Sequence, residues 1–220
     1  MAVRGRIIIF TTIITGFVSF VGTNVDDTFV LAIWFSQVDS LLRTKDIVLG
    51  QFLGFEFLVL VSVLAAYSLS FIPTDKVGWL GVVPIFLGIK RWLQYRLQPR
   101  RDPEEDEVKR TISREKDDRP KEKWVTKLIR PQVLGVSLVT ISNGAGNLTV
   151  YIPLFTRYTV PELIVTVIIF TLMTAAWCYL GFRIANFPVI KKRLNQYKHV
   201  LIPVIFIVLG IYILVDSGII

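Results

Sequence analysis

The chain is poor in the residues on which most metal and redox chemistry depends. Its 220 residues include one cysteine, Cys178, one histidine, His199, and two methionines. A lone cysteine excludes a disulfide framework, a CxxC redox pair and a cysteine-cluster zinc site. A lone histidine excludes multi-histidine metal centres and most Ser-His-Asp chemistry. Charge is also scarce over most of the length. The stretch Lys90–Arg130 holds 14 Lys/Arg and 9 Asp/Glu, which is 23 of the 42 charged side chains, and the other 179 residues share 19. A soluble domain needs polar residues on the exposed face of every element and does not segregate charge in this way. The pattern is that of an integral membrane protein with one polar insert.

Long apolar runs are what the sequence has in quantity. A bilayer core of about 30 Å needs about 20 apolar residues in helix. Six segments are candidates: Ile7–Phe35, Ile47–Leu69, Val77–Leu97, Val133–Phe155, Leu163–Phe182 and Val200–Val215. None alternates in polarity as a barrel strand would. Arg4 and Arg6 before an apolar run resemble a signal peptide, but no small-x-small cleavage site precedes the acidic motif, so the run is expected to stay as the first span. With six crossings, the connections after spans one, three and five carry 21 Lys/Arg, against 4 on the opposite side. Loop bias of this sign puts the insert in the cytoplasm and both termini outside. The basic loops account for the net charge of +8, so no nucleic-acid partner is implied.

Three spans precede the insert and three follow. The expected fold is all-α, with six transmembrane helices as two inverted three-helix repeats. Residues 1–98 and 131–220 form the halves and 99–130 the charged linker. Each half opens on a span interrupted by a polar motif, Gly22-Thr23-Asn24-Val25-Asp26-Asp27 and Ser142-Asn143-Gly144-Ala145-Gly146-Asn147. Glycines in both motifs permit unwinding, so the first and fourth helices are expected to be broken. Inverted repeats with broken helices place a substrate site near the bilayer midplane. The linker composition predicts disorder, apart from a short solvated helix supported by the pairs Glu105–Lys109 and Asp106–Arg110. Trp124 among lysines suits an interfacial segment on anionic lipid.

Asp26, Asp27 and Glu56 are the acidic residues well inside the spans, and no lysine or arginine is expected at their depth. Carboxylates persist at midplane when they line a cavity or bind a cation. Thr23, Asn24, Ser142, Asn143 and Asn147 lie close by in sequence or in the matching motif. Thr23, Asp26 and Asp27 share one helical face, and Asn24, Asp27 and Thr28 share another, which makes Asp27 the central candidate. Asn143 and Asn147 are also one turn apart. An oxygen-rich, carboxylate-centred set suits a divalent cation such as manganese, calcium or magnesium. Three carboxylates around one such ion leave a net charge of −1, and adjacent Asp26 and Asp27 resist joint ionisation, so proton uptake on cation release is an expectation. The plainer readings are packing roles. Buried Asn, Ser and Thr act as interhelical glue, above all Ser142 and Thr149, and Gly50 and Gly54 form a close-packing seam. Cys178 and Met173 suit an apolar environment. His199 and Asp216 belong at the interfaces.

The segments FVGTNVDDTFVLAIWF at 20–35, GQFLGF at 50–55, GVVPIFLGIK at 81–90 and ISNGAGNLTVYIPLF at 141–155 resemble the CadD-type cadmium-resistance transporters, within the superfamily of small exporters that includes the lysine exporters. The resemblance covers nearly the whole chain, in order. It implies a prokaryotic inner-membrane exporter of cadmium or a related divalent cation such as zinc, with no permanent cofactor and no enzymatic activity. The family's second motif reads like Asn-Gly-x-Asp-Asn, whereas Gly146 stands here where the acid is expected. Expected partners are membrane lipid and the cation, with proton coupling and a homodimer left open. The competing functions are a permease for another small ion or solute, a transport-inactive paralogue, and an intramembrane aspartyl protease, which needs aspartates on separate helices.

Overall fold

A computed structural model describes residues 2–69, 71, 77–97, 110–111, 129–186, 200, 203–215 and 217–219, with side chains from residue 9 onward. Most of the linker, with Glu105, Asp106, Lys109 and Trp124, lies outside the described residues, as do His199 and Asp216.

The described elements are helical, as apolar segments must be where no water can satisfy the backbone. In chain order they are α1 (Ala2–Ser36), α2 (Thr44–Leu69), α3 (Val82–Leu97), α4 (Pro131–Gly144), α5 (Leu148–Phe155), α6 (Val160–Ala185) and α7 (Pro203–Val215). A 3₁₀ turn at Trp79–Gly81 leads into α3, and another at Ala145–Asn147 joins α4 to α5. The starts follow local chemistry. Asp46 in the first turn of α2 accepts from the Arg43 N–H at 2.9 Å. Thr159 and Glu162 close a reciprocal capping box at α6, with the Thr159 N–H donating to Glu162 Oε2 at 2.8 Å.

Four stretches among the described residues are long and apolar enough to cross a bilayer: Ile9–Ser36, Thr44–Leu69, Pro131–Phe155 and Val160–Ala185. They coincide with expected spans one, two, four and five. Spans three and six correspond to the shorter helices α3, of 16 residues, and α7. The polarity is that of a protein whose solvent is lipid. Leu49, Leu53, Phe57, Leu60 and Leu64 form an exposed stripe on α2, while Asp46, Gln51 and Ser62 of the same helix are buried.

Packing runs mainly between α1 and α6 and between α2 and α4. Small residues set the closest approaches. A Cβ on Gly50 would lie 2.8 Å from the Val133 carbonyl oxygen, and one on Gly54 would lie 2.7 Å from that of Ser137. These glycines let α2 and α4 touch backbone to backbone, which is the packing role expected of the pair. Ser137 Oγ donates to the Gly50 carbonyl at 3.0 Å across the same seam. On the other side of the bundle, Gly81 and Gly210 bring the start of α3 against α7, with a Cβ on Gly210 only 2.5 Å from the Gly81 oxygen.

One expectation about the backbone is corrected. α1 is a continuous helix through Gly22–Asp27, not a broken one. Its polar side chains bond to the helix's own carbonyls, Thr23 Oγ1 to Ser19 O and Asn24 Nδ2 to Phe20 O, both at 2.8 Å. Gly22 serves instead as a contact point for Ile205 on α7. The fourth span tightens to a 3₁₀ turn at Ala145–Asn147 and continues as helix to Phe155.

Candidate cation site

The polar motif of α1 is buried at the middle of the bundle. Thr23 and Asn24 are 1% exposed and Asp26 and Asp27 are 3% exposed. Apolar clusters flank it along the helix. On the N-terminal side lie Phe20, Phe55, Tyr151, Phe170 and Phe206, with edge-on ring contacts among the first four such as Phe20–Phe55 at 5.2 Å. On the C-terminal side lie Val30, Leu31, Trp34, Ile47 and Val136. The motif is thus closed from both ends.

Each carboxylate is held differently. Asp27 accepts from two amides: Asn143 Nδ2 on α4 reaches Oδ1, and Gln51 Nε2 on α2 reaches Oδ2 at 3.2 Å. Gln51 is itself oriented by Thr140, whose Oγ1 lies 2.7 Å from Gln51 Oε1. Asp26 pairs with a cation, Arg91 on α3, through Nη1 at 2.8 Å from Oδ2. The Arg91 guanidinium also lies over the Phe206 ring, 5.5 Å from its centroid. This corrects the expectation that no basic side chain reaches the depth of the acids. Arg91 falls in a basic stretch that reads as a cytoplasmic marker, yet its side chain is long enough to turn back into the bundle.

Beside the acids runs a directional hydrogen-bond chain. Asn24 Nδ2 donates to Tyr151 Oη at 2.9 Å. Thr23 donates to Ser19 O, so the 2.5 Å contact between Thr23 Oγ1 and Tyr151 Oη is donated by the tyrosine. Asn147 Nδ2 reaches Asn24 Oδ1 at 3.3 Å, and Trp177 Nε1 donates to the Asn24 carbonyl at 2.7 Å.

The structure therefore brings together six of the expected residues, Thr23, Asn24, Asp26, Asp27, Asn143 and Asn147. Two lie elsewhere. Glu56 accepts from Thr171 Oγ1 on α6 at 2.8 Å. Ser142 is exposed, because the helical turn that aims Asn143 inward turns its neighbour outward. Among the described residues no three His, Cys, Asp or Glu side chains are grouped to hold a metal ion. A three-carboxylate centre of Asp26, Asp27 and Glu56 is thus not formed here, and a cation would meet carboxylate together with amide and hydroxyl oxygens. Cys178 packs in the cluster around Trp34, and Met173 against the aromatic cluster, both as apolar side chains. Thr149 bonds within its own turn, to Gly146 O at 2.7 Å. Gln51, Arg91, Thr140 and Tyr151 are site residues that reading the sequence did not single out. Gln51 had a signal, as an amide inside an apolar run.

A third buried acid, Asp46, marks one end of α2. It accepts from Arg130, just before α4, and Arg130 Nη2 also donates to the Leu41 carbonyl at 3.1 Å. This clamps the end of the linker to the α1–α2 turn.

Comparison with known proteins adds one finding. The family model described as cadmium resistance transporter matches residues 20–220. No curated protein and no solved structure matches the chain. The matched family is one of transporters and not of enzymes, and with the apolar helices it makes this a multi-pass membrane protein. A match over that span, which contains every residue of the buried polar cluster, shows that the chain belongs to the cadmium resistance transporter family.

Proposed function

We propose that the protein exports divalent metal cations, cadmium or a similar ion, through the buried cluster around Asp27. The observation that carries this reading is the arrangement at Asp27: one carboxylate at mid-bundle, held by amides from α2 and α4, so that three helices converge on one anionic oxygen pair. The cation is cargo and enters as substrate. Asp27 is its central ligand, with Asn143, Asn147, Asn24 and Thr23 offering neutral oxygens. Asp26 joins when its pairing with Arg91 allows.

The architecture that fits this role is six spans in two inverted halves, with α3 and α7 as the third and sixth. Helix packing supports it. A two-fold relation that exchanges spans one and four, two and five, and three and six turns the α1–α6 contact into the α2–α4 contact, and turns the α3–α7 contact into itself. Loop charge supports a cytoplasmic linker and outward termini in a prokaryotic plasma membrane. Neighbouring Asp26 and Asp27 favour proton uptake as the cation leaves. One observation favours a second reading. With Arg91 in place, the cluster of Asp26, Asp27 and Arg91 sums to −1, a charge that one monovalent cation would cancel.

The test is metal resistance and efflux in a cadmium- and manganese-sensitive bacterial host, with sodium and potassium fluxes run in parallel. The wild type is expected to confer resistance and Asp27→Asn to lose it. Resistance absent from the wild type but gained by Gly146→Asp would point to a transport-inactive chain. Sodium or potassium flux without metal efflux would favour the monovalent reading. Efflux indifferent to an imposed pH gradient would remove proton coupling.

A further inference from the structure

Arg91 is a cation placed where a transported cation is proposed to bind. Its Nη1 lies 2.8 Å from Asp26 Oδ2, and the Asp26 side chain is 4% exposed while that of Arg91 is 23% exposed. Asp26 is the closed member of the pair and Arg91 the more accessible one. Phe206 lies under the guanidinium and Gly146 beside it: a Cβ built on Gly146 would be 4.0 Å from Arg91 Nη2 and 3.8 Å from the Phe206 ring. Two of its neighbours are thus a ring face, which attracts a guanidinium, and a position without a side chain.

We propose that Arg91 is a tethered counter-cation, and that it and the transported ion are alternative partners of Asp26. The inference rests on the reading of the Asp27 cluster as the transport site. When the site is empty, the guanidinium neutralises Asp26, whose buried charge would otherwise be met, among the described residues, only by the Asp27 N–H at 3.1 Å from Oδ1. When a divalent cation enters at Asp27, its charge repels the guanidinium and competes for the same oxygen. Arg91 then withdraws along Phe206 and Asp26 becomes a ligand. The binding-competent state, with Asp26 released, is a minor fraction of the empty protein, and apparent affinity is reduced by that fraction. Arg91 is therefore a positioning residue that weakens binding, which favours release by an exporter.

The experiment is calorimetric titration of the purified full-length protein in lipid nanodiscs with cadmium chloride and manganese chloride. Arg91→Gln is expected to bind at least about tenfold more tightly than wild type, as the loss of a competitor requires. Arg91→Lys, which keeps the charge, is expected to show little of this gain. Arg91→Gln with Asp26→Asn is expected to lose it, because the released ligand is gone. Gly146→Asp offers the guanidinium a second carboxylate and is expected to tighten binding with Arg91 still present, which covers the case in which Arg91→Gln fails to fold. A purely structural pair would give weaker or unchanged binding in both Arg91→Gln and Gly146→Asp, and that result overturns the proposal. Asp27→Asn is titrated alongside. If it abolishes binding while neither variant tightens it, only the role of Arg91 falls. If it leaves binding unchanged, the site reading falls, and the role of Arg91 with it.

Discussion

The two polar motifs occupy matching places in the chain and solve the same problem in different ways. The first, Gly22–Asp27, carries the charge and keeps its helix intact. The second, Ser142–Asn147, carries amides and glycine and tightens its helix to a 3₁₀ turn. Charge goes with regular α-helix in one motif, and neutral side chains go with a tightened turn in the other. The reason lies in what each motif must satisfy. A helix that buries two carboxylates offers them one backbone donor, the Asp27 N–H to Asp26 Oδ1 at 3.1 Å, and draws the rest from elsewhere: Arg91, Gln51 and Asn143. A motif that supplies donors has to aim side chains at a fixed target, and a tightened turn brings Asn143 and Asn147 to bear on α1 together. The first motif is the part being held and the second is part of the holder.

The largest effect on that division is expected from Asn143→Ala, which removes one of the two amides on Asp27. A hydrogen bond to a charged group contributes about 1.5–3 kcal/mol, so metal efflux should fall by about 10- to 100-fold in a vesicle flux assay. An unchanged rate would mean that the second motif does not hold the first. Gly22→Ala should come next. Its Cβ would lie 2.2 Å from Ile205 Cγ2, an atom on a branched and stiff side chain, and overpacking of this kind costs about 1–3 kcal/mol. Thermal unfolding of the protein in detergent would register it. Gly144→Ala clashes with Leu58 Cδ1, the end of a flexible side chain, while Asn147 Nδ2 stays at an ordinary 3.5 Å, so it should cost less than Gly22→Ala in the same assay.

Tyr151→Phe is the next smaller change. It removes the group that donates to Thr23 and accepts from Asn24, at about 1 kcal/mol by the same unfolding measurement. The smallest effect is expected at Gly146→Ala. Among the described residues the nearest packed atom is Phe206 Cζ, 3.8 Å from the added methyl group, so stability should stay within about 0.5 kcal/mol of wild type. A large loss there would show that the second motif is tighter than its open side suggests.

Much of this was legible in the sequence because polar residues are conspicuous in apolar runs. Asp27, Asn24, Asn143 and Asn147 could be named on that ground, and so could the four long helices. Other features were hidden for physical reasons. Gln51 stands in an apolar run between two packing glycines, where a single amide reads as incidental. Arg91 was read as one loop charge among many, since hydropathy records where a residue sits on the chain and not how far its side chain reaches. Tyr151 is an aromatic residue among aromatic residues, and its hydroxyl shows its use only when α5 meets α1. The continuity of α1 was misjudged because Gly22 reads as a breaker, whereas its role is to admit Ile205. Glu56 is a candidate as an acid inside an apolar span and Ser142 as a neighbour of Asn143, and the helical turn sends both away from the site.

The glycine seam between α3 and α7 has a mechanical consequence. Where Gly81 meets Gly210, the contact is backbone on backbone, and the branched side chains of Ile85 and Ile213 lock against the two glycines. Such side chains must change rotamer before two helices can slide, so the joint is keyed and α3 and α7 move as one piece. α3 is also the helix that carries Arg91. A displacement of that pair by an ångström or two would be enough to lengthen or relieve the bond to Asp26.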